Sequence, residues 1–385
     1  MTARTPPRHR VLTSFAEAEV VWRQLESLTP TFPFQCFDWL ESWHRSIGLG
    51  EGVEPALVLV EAQDGAPLLL FPMGIQRRIL GRVLAWMGGE LSDYLGPLIS
   101  PACPESLLTR DFPALWRSIV SALPPFTYAH LERQPELISG RPNPFRQLDW
   151  RENPSRSHHT ALDPSWKTYY HSKSSSRTRQ TDRRKQRRLE DSGVVEFEIV
   201  RTPERADAVL ATLFVQKSRS YQELGVEDLF AQERYRAFIT DLTRRQPDLI
   251  HLTCLRIGDR ILAAHWGLLY QRRFYCLIPT YERSELTQHS PGSLLRLRLL
   301  EWACSSGVEI FDFTVGDEPY KERWCEASMP LYDGLLPGSA WGHVCAAGLH
   351  AGSALKRRLK ASPALFPMVV KVRAALGGPV RVDKE

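Results

Sequence analysis

One order of elements occurs twice in this sequence, and it constrains the fold more than any other feature. In each half, apolar periodicity predicts two helices, then antiparallel strands, then another helix and a closing strand. The first half has predicted elements at Ser14–Leu28, Phe37–Ile47, Ala56–Glu61, Pro67–Gln76, Val83–Met87, Tyr94–Ile99, Glu105–Leu123 and Thr127–Glu132. The second half opens with a strand and has predicted elements at Val194–Val200, Pro203–Gly225, Glu227–Arg245, Ile250–Ile257, Ile261–Tyr270, Phe274–Pro279, Gly292–Ser305 and Val308–Thr314. The pattern predicts an α/β fold of two similar halves, each a mixed, mostly antiparallel sheet flanked by helices.

Length and composition agree with two globular domains. A chain of 385 residues exceeds one ordinary core. With 43% hydrophobic and 24% charged residues, the composition excludes extensive disorder. We predict an N-terminal domain of structural role at residues 1–162 and a basic connecting helix at 163–193. The second domain is predicted at 194–342 and a basic tail at 343–385.

The cysteines and the hydropathy of the sequence indicate where in the cell the protein works. The seven cysteines are scattered and form no CxxC pair, which argues against a disulfide framework and against a zinc site. No metal is therefore expected. Neither a secretory signal nor a run of about twenty apolar residues is visible. We expect a cytoplasmic protein.

Positive charge is concentrated in two segments. Residues 167–190 hold nine Lys/Arg against two acidic residues, and residues 343–385 hold eight against two. The first segment is either a solvent-exposed helix without a ligand or a positively charged surface that attracts the phosphate groups of a ligand. The tail joins four cations at 356–360 to apolar residues 365–370. It could lie peripherally on the inner membrane surface, or it could be disordered or docked on a partner.

Several motifs resemble a known family. They are Phe34-Gln35 with Trp39 and Trp43, the basic helix Ser175–Gly193, Tyr281 through Gly292, and Phe311 through Lys321. Together with the element order, they resemble GNAT acyltransferases of the CelD/BcsL type, which are associated with cellulose and exopolysaccharide biosynthesis and are distantly similar to FemAB-type aminoacyltransferases. The resemblance implies two tandem GNAT-like domains and an acyl-CoA co-substrate.

The turn before the last helix of the second half is the predicted donor site. In the GNAT pattern a Gly-rich turn here cradles the pyrophosphate of coenzyme A, whereas this turn has one glycine in Ser290-Pro291-Gly292-Ser293. The first N–H groups of a helix lack partners and attract anions, and Arg296 follows one turn later. The alternative interpretation is an ordinary Pro-Gly turn with a serine cap.

The bend after the closing strand of the second half is the most specific indication of catalytic residues. Gly316 allows the chain to bend after the strand, and Pro319 restricts the backbone that follows. We therefore expect Asp317, Tyr320 and Lys321 at the carboxyl edge of the sheet, where α/β proteins bind ligands. Tyr320 is the candidate acid for a leaving thiolate, and Lys321 the candidate charge for a phosphate or oxyanion. Asp317 would orient or deprotonate the acceptor. The alternative is a charged surface loop.

Two further residues are candidate bases, and three aromatic residues are candidate substrate contacts. His265 lies in the central strand of the meander, where it acts as a base or belongs to the core. Asp312 alternates with two phenylalanines and so points to the opposite face of its strand. Trp266, Tyr275 and Tyr281 either line a groove for a sugar or pack inside.

The leading hypothesis is an N- or O-acyltransferase. It would move an acyl group from acyl-CoA, or an acyl carrier, to a sugar or polysaccharide-precursor acceptor in cell-envelope biosynthesis. The second hypothesis is a FemAB-like aminoacyltransferase that uses aminoacyl-tRNA, the one nucleic acid considered. The third is an inactive scaffold in a polysaccharide-synthesis complex.

Overall fold

Residues 7–360 are described by the computed structural model, and they divide into two units. Unit 1 comprises residues 7–155 together with 330–360. Unit 2 comprises residues 156–329. Within residues 7–360, the chain therefore leaves unit 1, forms unit 2, and then returns to unit 1.

The strands of the described residues follow in chain order. Those before residue 156 are β1 Arg8–Leu12, β2 Glu54–Pro55, β3 Leu57–Glu61, β4 Pro67–Phe71, β5 Met73–Arg78, β6 Gly81–Trp86, β7 Leu98–Ile99, β8 Tyr128–Pro135, β9 Leu137–Ile138, β10 Arg141–Pro142 and β11 Arg151–Glu152. Those after it are β12 Ser157–Ala161, β13 Val195–Ile199, β14 Ile250–Ile257, β15 Arg260–Tyr270, β16 Arg273–Tyr281, β17 Ile310–Val315, β18 Ala327–Met329 and β19 Leu331–Pro337.

The α-helices are fewer and longer. They are α1 Phe15–Leu28, α2 Phe37–Trp43, α3 Glu105–Leu108, α4 Phe112–Ala122, α5 Trp166–Ser172, α6 Ser176–Glu190, α7 Pro203–Leu224, α8 Glu233–Arg245, α9 Pro291–Ser305 and α10 Ala340–Lys360. Side-chain caps begin several of them, because Ser, Thr and Asn oxygens can accept from the first unpaired N–H groups. For example, Thr202 caps α7, and Gly225 ends it in the left-handed conformation.

Unit 1 contains two main sheets. One has the order β1-β3-β4-β7, and the other has the order β11-β19-β8-β6-β5-β2. In the second sheet β6 and β8 are parallel, whereas the other pairs are antiparallel. The core includes a cluster of aromatic rings in mutual contact: Phe71, Trp86, Phe112 and Phe145.

Unit 2 has one seven-stranded sheet of order β13-β14-β15-β16-β17-β12-β18. It is antiparallel except for β16 and β17, which run parallel. Both α7 and α9 contact β15, the third strand in this order, whose residues 261–268 are all buried. A strand buried on both faces reads as a continuous apolar run, as β15 does here.

The predicted fold class is confirmed: both units are α/β, with mixed, mostly antiparallel sheets and flanking helices. The boundaries differ from the predicted ones at 162/163 and 342/343. Strand β12 belongs to unit 2 because it pairs with β17 and β18, and β19 belongs to unit 1 because it pairs with β8.

Three predicted elements are each divided in the structure. The strand Pro67–Gln76 becomes β4 and β5, which lie in different sheets, because Pro72 separates them. The helix Glu105–Leu123 becomes α3 and α4, and α4 begins with a proline in its first turn. The connecting helix becomes α5 and α6, since the Ser175 side chain caps a new helix.

The basic tail begins in unit 1 as helix α10, which extends to Lys360. The predicted apolar segment 365–370 lies outside the described residues. None of the described helices is long and apolar enough to cross a membrane.

Candidate active site

The parallel strands β16 and β17 of unit 2 separate after a short stretch of pairing. They pair only at Arg273–Tyr275 with Ile310–Asp312, although β16 continues to Tyr281 and β17 to Val315. Beyond the ladder, the Thr314 hydroxyl donates to the Cys276 carbonyl at 3.5 Å. The carboxyl ends of diverging parallel strands are where open α/β sheets bind ligands.

Helix α9 begins next to the basic helix α6. Ser290, which precedes α9, has a φ of 56°, and its Oγ accepts a hydrogen bond from Lys185 Nζ at 2.9 Å. A Cβ on Gly292 would approach Tyr281 Cδ1 to 3.3 Å, so glycine keeps this turn close to the end of β16. The predicted turn Ser290-Pro291-Gly292-Ser293 therefore has a cation at its entrance.

Arg296 and Tyr320 connect α9 to the bend after β17. The Arg296 guanidinium lies 3.9 Å from the centre of the Tyr320 ring, and its Nη2 donates to Ser293 Oγ at 3.3 Å. Burial raises the pKa of the Tyr320 hydroxyl well above its ordinary value, and the nearby Cys276 and Glu318 add to this effect. The hydroxyl is therefore protonated at neutral pH and can donate a proton.

Lys321 stabilises the bend from inside and does not face a ligand. Its side chain is 2% exposed, and Nζ donates to the carbonyl oxygens of Thr314, Val315 and Gly316 at 3.3, 3.2 and 2.9 Å. Glu318 Oε2 lies 2.7 Å from the same nitrogen. These partners occupy every N–H of the ammonium. The predicted role of Lys321 in binding a phosphate or oxyanion is therefore corrected: Lys321 holds the backbone of the bend.

Asp312 is also enclosed. Its side chain is fully buried, and Oδ2 accepts from Nε and Nη2 of Arg273 at 2.9 and 2.6 Å. Oδ1 accepts from the Thr314 backbone N–H at 2.7 Å. These partners enclose the carboxylate, so the expected role as a base is corrected to an ion pair.

His265 lies in the core of unit 2. It is 0% exposed, pairs with Thr253 and Pro279 on the neighbouring strands, and packs near the Phe274 ring. Burial lowers its pKa to about 3. A ring enclosed in this way does not reach an acceptor, which corrects the prediction that His265 is the base.

Two of the three predicted aromatic contacts are core residues. Trp266 is 0% exposed and donates from Nε1 to Thr243 Oγ1 at 2.9 Å, and Tyr275 is 2% exposed. Both lie on strands that helices cover, so neither lines a groove. Tyr281 is half-buried beside Gly292, with the Arg283 guanidinium 4.3 Å from its ring centre.

Asp317 meets a histidine that the sequence analysis missed. Its Oδ1 lies 3.0 Å from Nε2 of His158, and its side chain is half-exposed. His158 lies on β12 opposite Thr314 of β17 and Ser328 of β18. The one sequence feature that could have indicated this residue is the doublet His158-His159, which falls within the predicted N-terminal domain at residues 1–162.

The basic helix α6 has two different faces. On its inner face, Asp182 accepts from Arg323 of the bend at 2.8 Å, Lys185 reaches Ser290, and Leu189 is buried. Its outer face carries five exposed arginines: Arg177, Arg183, Arg184, Arg187 and Arg188. Among these, within residues 7–360, only Arg188 has a carboxylate partner, Asp191 at 3.8 Å.

A comparison with protein families found one match, which lies within unit 2. Residues 176–322 match the family described as acetyltransferase (GNAT) domain. This segment, which lies within unit 2, is thus similar to a GNAT domain. The match begins at the first residue of α6 and ends within the bend, so both lie in the matched segment, whereas β12 with His158 precedes it.

Solved structures are similar to this chain at the level of the fold. FemX has 10% identity and a TM-score of 0.56, with 86% of this chain and 97% of FemX covered. The C-terminal domain of a protein named as a lysylphosphatidylglycerol synthetase from Agrobacterium fabrum has 12% identity and a TM-score of 0.51, with 89% and 97% covered. A tandem GNAT protein from the clavulanic acid biosynthesis pathway has 13% identity and a TM-score of 0.48, with 86% and 99% covered. No curated protein matches the sequence significantly.

Proposed function

We propose that the GNAT-type domain of unit 2 transfers an acyl group from acyl-CoA, or from an acyl carrier, to an amine or hydroxyl acceptor. The observation that carries this proposal is the junction of Arg296 with Tyr320, which joins the start of α9 to the bend after β17. A donor lying in the gap between β16 and β17 would contact both. From the resemblance to the CelD/BcsL type, we propose a sugar or polysaccharide-precursor acceptor in the cytoplasm or at the inner membrane surface.

The start of α9 would hold the phosphates of the donor. Helix N-termini favour anions through their unpaired N–H groups and their dipole. Here Lys185 adds a cation on one side of Ser290, and Arg296 adds another one turn later. Two cations at the helix start compensate for the single glycine of the turn, because a lysine binds phosphate as a point charge.

Tyr320 would act as the acid for the leaving thiolate. Attack of the acceptor on the thioester expels sulfur with its electron pair, and a positioned proton donor lowers the barrier to that step. The hydroxyl of Tyr320 is held protonated by burial. Lys321 and the Asp312–Arg273 pair would act indirectly, because they fix the backbone that carries this tyrosine.

Thermal unfolding with and without ligand tests donor binding. A donor at 100 times its Kd should stabilise the protein by about 2.7 kcal/mol. Lys185→Ala and Arg296→Ala should each reduce that protection, whereas Arg187→Ala, on the exposed face of α6, should not. Absence of protection by acetyl-CoA, longer acyl-CoAs and free CoA would refute the proposal and favour the inactive scaffold.

The exposed face of α6 favours a second candidate, an aminoacyltransferase that uses aminoacyl-tRNA. Five arginines on one helix exceed what a single coenzyme A can contact, and arginine-rich surfaces bind nucleic acid backbones. Binding of charged tRNA that weakens steeply with salt, and that is lost in Arg183→Ala/Arg187→Ala, would support this candidate over the first.

A further inference from the structure

The His158–Asp317 pair lies at the bend that carries Tyr320, and no role above uses it. Asp317 and Tyr320 are three residues apart in one segment, which begins directly after β17. His158 contributes from β12, the strand on the other side of β17 from β16. The pair thus lies at the carboxyl end of the strand that borders the gap.

A β-bulge sets the position of His158. His158 pairs with Thr314 but His159 pairs with Asp312, so Phe313 is an extra residue on β17. Thr314 has a φ of 60°, which is costly for a β-branched residue. Bulges of this kind often redirect a side chain beside an active site.

Buried groups hold this strained backbone in place. The carboxylate of Asp312 accepts from the Thr314 N–H, and the ammonium of Lys321 binds the carbonyl oxygens of residues 314–316. Gly316, with a φ of 125°, turns the chain so that Asp317 follows at once. Four interactions therefore fix the backbone from which Asp317 reaches His158.

One nitrogen of His158 remains open. Nε2 is engaged by Asp317, and within residues 7–360 the ring makes no other hydrogen bond. The side chain is partly exposed, at 13%. With its proton on Nε2, donated to the carboxylate, the ring presents Nδ1 as a proton acceptor.

We propose that His158 is the general base of the transfer and that Asp317 is its positioning residue; this inference rests on the acyl transfer proposed above. Nδ1 takes the proton from the acceptor N–H or O–H while that atom bonds to the thioester carbonyl carbon. The C–S bond breaks, and the thiolate takes the proton of Tyr320. The imidazolium then releases its proton to solvent, and the tyrosinate regains one.

Charged and titratable groups lie beside His158 on the bend and on its own strand. Asp317 faces it from the bend, and His159 adjoins it on the same strand, next to the Asp312–Arg273 pair. From β18 it is opposed by the uncharged Ser328. Asp317 is therefore the one carboxylate, among the described residues, in hydrogen-bond contact with the ring, and its removal should leave the imidazole without the partner that orients it.

The test measures thiol release from acetyl-CoA with glucosamine as acceptor, across pH, for wild type, His158→Ala, Asp317→Asn and two controls. His171→Ala and Glu322→Gln are the controls, since both residues are exposed and neither forms a hydrogen bond or ion pair with His158 or Asp317. His158→Ala should lower kcat by about 10²–10⁴-fold with unchanged KM for acetyl-CoA, and added imidazole should restore part of it. Asp317→Asn should lower kcat less than His158→Ala does and leave the KM for acetyl-CoA unchanged, because it loosens the orientation of the imidazole without removing the ring.

Each outcome separates this inference from the function on which it rests. If wild type transfers but His158→Ala does so equally well, or if the kcat of Asp317→Asn equals that of wild type, the inference is overturned and acyl transfer stands. If wild type transfers no acyl group from acetyl-, succinyl- or palmitoyl-CoA, both are overturned. Retained thermal protection of each variant by acetyl-CoA shows that it is folded.

Discussion

Two buried histidines should make unit 2 sensitive to acid. His251 and His265 are 4% and 0% exposed, and no ring nitrogen of either has a partner among the described residues. Burial lowers the pKa of each to about 3 in the folded state. In the unfolded chain an imidazole titrates near 6.5. Unfolding below neutral pH therefore takes up protons, and the folded state loses stability as pH falls from about 7 towards 3.

The size of the effect follows from these values. Between pH 7 and pH 5 each histidine should lower the free energy of unfolding by about 2 kcal/mol, and the pair by about 4 kcal/mol. His265→Leu removes one of the two titrations without leaving a void, so its loss over the same interval should be about 2 kcal/mol smaller. His343→Leu, at an exposed position, should lose as much stability as wild type.

The loss of stability between pH 7 and pH 5 is measured by urea unfolding of wild type and His265→Leu. Hydrogen exchange of β14, β15 and α9 monitors the unfolding, so that the value refers to unit 2. Carboxylates that become protonated contribute equally to wild type and variant, so they cancel in the comparison. Equal losses for wild type and His265→Leu would show that the histidine accepts a proton while folded, which would refute the reasoning.

Three further predictions concern the site itself. Lys321→Met leaves three carbonyls and Glu318 without their partner and should lower the free energy of unfolding by about 3–5 kcal/mol in urea titrations, whereas Glu322→Gln should not change it. Tyr320→Phe should lower kcat about 10²-fold while acetyl-CoA still protects the variant; a wild-type rate would remove this tyrosine from the chemistry. Gly292→Val should press on Tyr281 and weaken donor binding about tenfold, or about 1.4 kcal/mol, in calorimetry. Undiminished affinity would place the donor elsewhere.

Local patterns predicted much of the fold. The three-stranded meander, α9 and β17 were found within a few residues, because alternation and turn residues are properties of neighbouring positions. The division of Pro67–Gln76 between two sheets was not found, since a single proline gives no information about which sheet receives each part.

The candidate site was harder to predict because it depends on which way side chains face. The sequence located the bend and the turn at 290–293, but the type of residue does not reveal whether a lysine such as Lys321 points inward. Likewise, His265 lies in the core because helices α7 and α9 cover β15. Neither helix is a sequence neighbour of His265, so the local pattern does not show that the histidine is buried. His158 could not be found because its partners follow it by more than 150 residues.

Strand β12 has a consequence for how the protein is made. It ends at Ala161, but β17, on which it pairs, begins only at Ile310. A ribosome adds about 5–20 residues per second, so the nascent strand waits on the order of ten seconds or more for its neighbour. A gene fragment encoding only residues 176–322 would never supply that strand, and its product would leave the edge of β17 open to other chains.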